Sequence, residues 1–73
     1  MNKKNITGKK IRLIRMQKGI TQEQLAARLH VQGINMDRSN IPRIEHQTRE
    51  LLDYEIKAIA IALDTSIEDL FDE

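Results

Sequence analysis

Thr21-Gln22-Glu23-Gln24-Leu25 constrains this 73-residue chain more than any other stretch. A threonine followed three residues later by glutamine is a capping box. The hydroxyl accepts from the Gln24 amide, and the Gln24 side chain reaches back to the Thr21 amide. Ile20 just outside the cap and Leu25 at the fourth helical position complete a hydrophobic staple. A helix therefore opens at Thr21, with Leu25, Ala26 and Leu29 as its buried stripe. The small Ala26 lets the next helix come close. Residues 30–36 are expected as the connection, with Gly33 supplying a positive φ and Val31 or Ile34 plugging the core beneath it. A second short helix ends after Glu45, with Ile41 and Ile44 facing inward and Arg38, Ser39 and Arg43 outward. The spacing predicts two short helices held against each other.

The remaining apolar residues also recur with helical period, and alternation of period two is missing, so the chain reads as all-α. A helix is predicted from about Gly8 to Lys18, with Ile11, Ile14 and Lys18 on one face and Arg15 beside them. Gly19 supplies the left-handed residue that closes it. Leu13 and Met16 fall off that stripe, and one of them should be half-exposed. Asp53 is expected to cap a fourth helix from Tyr54 to about Leu63, with Ile56, Ile59, Ala60 and Leu63 as its stripe. Ser66 caps a short fifth helix whose apolar positions are Ile67, Leu70 and Phe71. Residues 1–73 thus form one domain of five helices, with residues 1–7 expected as a basic, flexible arm.

The net charge of +1 conceals a polarised chain. Residues 1–19 carry Lys3, Lys4, Lys9, Lys10, Arg12, Arg15 and Lys18 and no acid, whereas Lys57 is the one base among eight acids in residues 50–73. Folding the first half together would present one basic face. The acids Glu68, Asp69, Asp72 and Glu73 read as an exposed end, because catalytic carboxylates need a pocket that shifts their pKa. His30 and His46 stand without cysteine or companions, so no metal site is expected. No phosphate-cradling glycine loop and no nucleophile beside a base is visible, so no enzyme and no cofactor is expected. No apolar run approaches the ~20 residues of a membrane span, and no signal-peptide core follows the N-terminus. A cytoplasmic protein is expected.

Taken together, Ile11-Arg12-Leu13-Ile14-Arg15, Gly19 to Ala26, Ile41 to Glu45, and Leu63-Asp64-Thr65-Ser66-Ile67-Glu68-Asp69-Leu70-Phe71 resemble the phage repressor/Cro-type helix-turn-helix family. The resemblance reaches from about residue 8 to residue 71 and rests on the order and spacing of these pieces jointly. It implies a five-helix domain with the helix-turn-helix at helices 2 and 3, the third helix lying in the DNA major groove. Carried over by position, Arg38, Ser39 and Arg43 match base-contacting places, Gln22 a place that grips phosphate, and Arg15 with Glu45 a pair bridging the first and third helices.

Physical chemistry supports these roles. A helix N-terminus favours phosphate, and arginine presents two donors to the O6/N7 edge of guanine, worth roughly 1–3 kcal/mol of discrimination. Asn40 either reads adenine or serves the start of its helix. Lys9, Lys10 and Arg12 suit phosphate contacts, which add affinity without sequence information. His30, where the family often has glycine, is expected in the loop or as a C-cap.

Two departures from the family stand out. The turn is longer than the usual three or four residues, so Gln32 and Asn35 are either phosphate contacts or solvated loop. Pro42 lies inside the third helix. If the helix starts at Asp37, Pro42 has no N–H for the Arg38 carbonyl; if it starts at Ser39, Pro42 falls in the first turn, where that N–H is orphaned anyway.

The expected function is a sequence-specific, double-stranded-DNA-binding regulator, a repressor acting as a homodimer on a two-fold operator. Leu13, Leu70 and Phe71 are the candidate dimer contacts. The rival expectation is an antitoxin-type module that binds a small toxin partner and represses its own operon.

Overall fold

The computed structural model describes residues 3–72, and among them every regular element is helical: α1 (Gly8–Gln17), α2 (Gln22–Val31), α3 (Asn40–Glu45), α4 (Asp53–Ala62) and α5 (Ile67–Phe71). Met1, Asn2 and Glu73 lie outside the described residues. α1 packs on α3 and α5, α2 packs on α3 and α4, and α4 packs on α5. Ile11, Leu25, Leu29, Met36, Ile41, Ile44, Ile59, Leu63 and Leu70 converge between them as the fully buried core.

The start signals act as expected at α2 and α5. Thr21 Oγ1 accepts from Gln24 N at 3.0 Å and Gln24 Oε1 accepts from Thr21 N at 2.9 Å. Ser66 Oγ accepts from Asp69 N at 3.1 Å. At α4 the cap is Leu52 rather than Asp53, which is already helical. Leu52 has no side-chain acceptor, and Glu55 does the work instead by accepting from Leu52 N at 2.9 Å.

The helix ends share one geometry. After α1, α2, α3 and α4 the chain turns through a residue of positive φ: Gly19, Gly33, Gln47 and Asp64. In each case the following amide reaches back five residues, as in Ile20 N to Arg15 O and Thr48 N to Arg43 O. This is the Schellman closure, which satisfies carbonyls left open at the last turn.

Three expectations about the connection between α2 and α3 need correcting. α2 runs through His30 to Val31, so His30 is an exposed helical residue. That extra length swings Val31 into solvent, at 88% exposure. Met36 plugs the core, with Ile34 packed partly against it. On α1, both Leu13 and Met16 are half-exposed rather than one of them.

Candidate nucleic-acid interface

Pro42 decides where α3 begins. The helix opens at Asn40 with Ser39 as its cap residue, so Pro42 occupies the first turn and forfeits no helical hydrogen bond. Asp37, Arg38 and Ser39 form a tight turn ahead of it, with Asn40 N donating to Asp37 O at 2.9 Å and Ile41 N to Arg38 O at 3.1 Å. Arg38 therefore leads into the helix and is not part of it. Ile41 and Ile44 are buried, Arg38, Ser39 and Arg43 are exposed, and Asn40 is half-buried. Arg43 thus stands on the outer side of a short helix whose inner side is core, and Arg38 and Ser39 stand exposed just ahead of it.

α3 is braced against α1 by a buried ion pair. Arg15 Nε donates to Glu45 Oε2 at 2.6 Å and Arg15 Nη2 to Glu45 Oε1 at 3.1 Å, while Nη1 donates to Ile20 O at 2.9 Å. All three guanidinium nitrogens thereby donate to the protein, which makes Arg15 architectural. Gln22 joins the same group, with Nε2 donating to Glu45 Oε1 at 3.4 Å. This contact leans the first residue of α2 toward the end of α3.

Two open hollows border this brace. One is lined by Lys9, Arg12, Gln22 and His46 above the Arg15–Glu45 pair. The other lies at the foot of α2, between Thr21, Gln22, Glu23 and Arg38. Lys9 and Arg12 of α1, the first turn of α2 and the turn before α3 are therefore neighbours on one surface. His46 sits among them, a position for which the sequence offered only its place directly after Glu45.

Several expected residues face elsewhere. Lys10 turns toward the other side of α1, where its Nζ donates to the Asp72 carbonyl at 3.3 Å. Lys18 likewise caps the end of α4, donating to Leu63 O and Asp64 O at 2.7 Å each. Gln32 turns to α4, its Nε2 donating to Ala58 O at 2.8 Å. Asn35 remains exposed in the connection. Leu70 is 1% exposed and belongs to the core, so it cannot meet a second copy, whereas Leu13 and Phe71 stay partly exposed.

The expected flexible arm is corrected for residues 4–7. Lys4 N donates to Gln47 O at 2.9 Å, and Asn5 Nδ2 donates to Arg49 O at 2.8 Å. Thr7 is fully buried. This fastening sets Lys4 in a hollow with Arg43, Thr48 and Arg49, beyond the far end of α3. No local pattern in the sequence marks it, since the partners lie about forty residues apart.

Among the described residues no group of His, Cys, Asp or Glu could hold a metal ion, and no helix is long and apolar enough to cross a membrane.

Comparison with known proteins agrees with this geometry. A family model described as helix-turn-helix matches residues 11–70. Among solved structures, the restriction-modification controller protein C.AhdI from Aeromonas hydrophila is 32% identical, with 89% of this chain and 87% of that one covered and a TM-score of 0.78. The controller protein C.Esp1396I, solved as a tetramer in complex with its natural 35 base-pair operator, is 29% identical, with 93% and 99% covered and a TM-score of 0.67. The clp gene regulator ClgR from C. glutamicum shares the fold at 22% identity, with 89% and 78% covered and a TM-score of 0.79. The curated proteins include no match.

Proposed function

The chain belongs to the helix-turn-helix family of the phage repressor/Cro type, and on that footing we propose that it regulates transcription by binding double-stranded DNA through the outer side of α3. The observation that carries this reading is the shared surface formed by the turn that leads into α3, the first turn of α2 and the Lys9–Arg12 side of α1. Arg38, Ser39, Asn40 and Arg43 are the base-facing set; Gln22, Lys9, Arg12 and His46 hold phosphates beside them. Asn35, exposed in the connection ahead of α3, remains a candidate phosphate contact. The related controller protein bound to its operator as a tetramer supports both the DNA ligand and self-association. Two copies on a two-fold site, with half-sites about 34 Å apart, are the simplest arrangement. Leu13 and Phe71 are the exposed apolar residues proposed for that contact. Such a regulator acts where the DNA is, in the cytoplasm, and repression is the mode we propose.

The test begins with duplexes selected from a random pool by the protein itself. Arg38→Ala and Arg43→Ala are then measured on a selected and on a random duplex. Loss of one guanine contact should weaken selected-site binding by roughly 1–3 kcal/mol while random-duplex binding changes less. Equal losses on both duplexes would make these arginines phosphate contacts, and failure of the protein to select any sequence would overturn the reading.

A further inference from the structure

A six-residue helix cannot hold its own direction. Isolated helices shorter than about 12–15 residues are marginal in water, and α3 has no side-chain hydrogen bond at its N-terminal cap. Its outer tip, where bases would be read, is held by the turn Asp37–Asn40 and by buried Ile41, with no side-chain hydrogen bond of its own. The inner side is seated by Ile41 and Ile44, while its polar anchors gather at the far end. One is Glu45 on Arg15. The other is the segment that precedes α1.

That second anchor centres on Asn5. Its Nδ2 donates to Ile44 O at 3.1 Å and to Arg49 O at 2.8 Å, and its Oδ1 accepts from Gly8 N at 2.7 Å. A single amide thereby ties together the end of α3, the loop beyond it and the start of α1. The main chain reinforces the tie. Gln47 Nε2 donates to Asn5 O at 3.1 Å, and Lys4 N donates to Gln47 O at 2.9 Å. Gln47 holds this place with a φ of 65°, a left-handed conformation that costs a side-chain-bearing residue energy and that neighbouring bonds must sustain. Gly8 completes the knot, since a side chain there would collide with the Ile44 carbonyl.

We propose that Asn5 is a positioning residue for DNA reading: it fixes the C-terminal end of α3, where Arg43 stands, and thereby the aim of the Arg38–Asn40 tip. This rests on the DNA-binding function proposed above. The lever is short but sufficient. α3 is about 9 Å long at ~1.5 Å per residue. A tilt of about 10° at its fixed end moves the tip by roughly 1.5 Å over that length, beyond the ~0.5 Å within which binding groups must be held. Phosphate contacts by flexible lysines tolerate such a shift, whereas bidentate base contacts do not.

Asn5→Asp separates the two halves of the amide. It keeps the acceptor for Gly8 N–H at the start of α1 and sets an oxygen in place of the donor to Ile44 and Arg49. Asn5→Ser, which keeps a capping hydroxyl without the reach, serves if the aspartate does not fold. Ile59→Val, in the core of α4, is the control for lost stability without a change at α3. Each folded protein is titrated with a duplex selected by the wild type and with a random duplex across salt. The expected result is a tenfold or greater loss on the selected duplex for the Asn5 variant, with random-duplex affinity within about twofold and an unchanged salt slope. Ile59→Val should keep the wild-type ratio. An unchanged ratio in the Asn5 variants, or an equal fall in Ile59→Val, would overturn the positioning role. If the wild type selects no sequence, the DNA-binding reading fails first and the positioning role falls with it.

Discussion

One methyl group at position 8 is enough to disturb the contact between α1 and α3. A Cβ there would meet the Ile44 carbonyl oxygen and lie 2.9 Å from Gln47 Cγ, so backbone as well as side chain would have to move. Gly8→Ala would ordinarily favour a helix, because alanine loses less conformational entropy than glycine. Here the collision outweighs that gain. Overpacking of this kind costs about 1–3 kcal/mol, and the expected outcome is a lower urea midpoint with an unchanged slope. A midpoint equal to or above that of the wild type would show that α1 and α3 separate without penalty. Gly19 offers the contrast. Nothing lies near its Cβ position, and only its φ of 68° calls for glycine.

Among the elements, α4 depends on its first turn for pH sensitivity. Burial of the Glu55 carboxylate opposes its charge, yet the Arg49 guanidinium and the Leu52 amide outweigh burial and hold its pKa below the usual carboxylate value. Arg49 Nη2 lies 3.2 Å from Glu55 Oε2. A carboxylate with a depressed folded-state pKa stabilises fully above its unfolded value, about 4.3. That contribution is lost as pH falls through the lower folded value. Urea midpoints measured from pH 6 down to pH 3 should therefore fall more steeply in the wild type than in Glu55→Gln, with identical slopes contradicting the assignment. The capping of α2 and α5 and the glycine closure of α1 were legible because each signal lies within five residues of its partner; Gly33 was legible as a positive-φ position but not as the closure of α2. Which connection residue turns inward was not legible. Val31 and Ile34 are both apolar, and only the true end of α2 puts Met36 inside. The Asn5 knot escaped for a related reason, since its partners are 39 and 44 residues away. Leu70 was correctly read as apolar, but periodicity alone does not tell core from contact surface on a five-residue helix.

Over the whole molecule, the polarised sequence yields a smaller basic face than its charges suggest. Neighbouring residues on a helix diverge by about 100°, so Lys9 and Lys10, which both border the hollow beside Leu13 and Leu70, otherwise meet different neighbours. Lys9 lines the hollow with Arg12 and Gln22, while Lys10 reaches Asp72 beside α5. Lys9→Ala should reduce the slope of log affinity against log salt by about 0.9, the value for one phosphate. Lys10→Ala should leave the slope nearly unchanged, and equal effects would mean that DNA wraps around α1 instead of resting on one side of it. The central claim is that one side, built from the tip of α3 and the start of α2, meets the duplex. Amide shifts of isotope-labelled protein titrated with a selected duplex test it most directly. The account predicts the largest changes at Thr21–Gln24 and Arg38–Arg43, with smaller ones at Lys9, Arg12 and His46. Changes centred on α4 and α5, with the α3 tip unmoved, would contradict it.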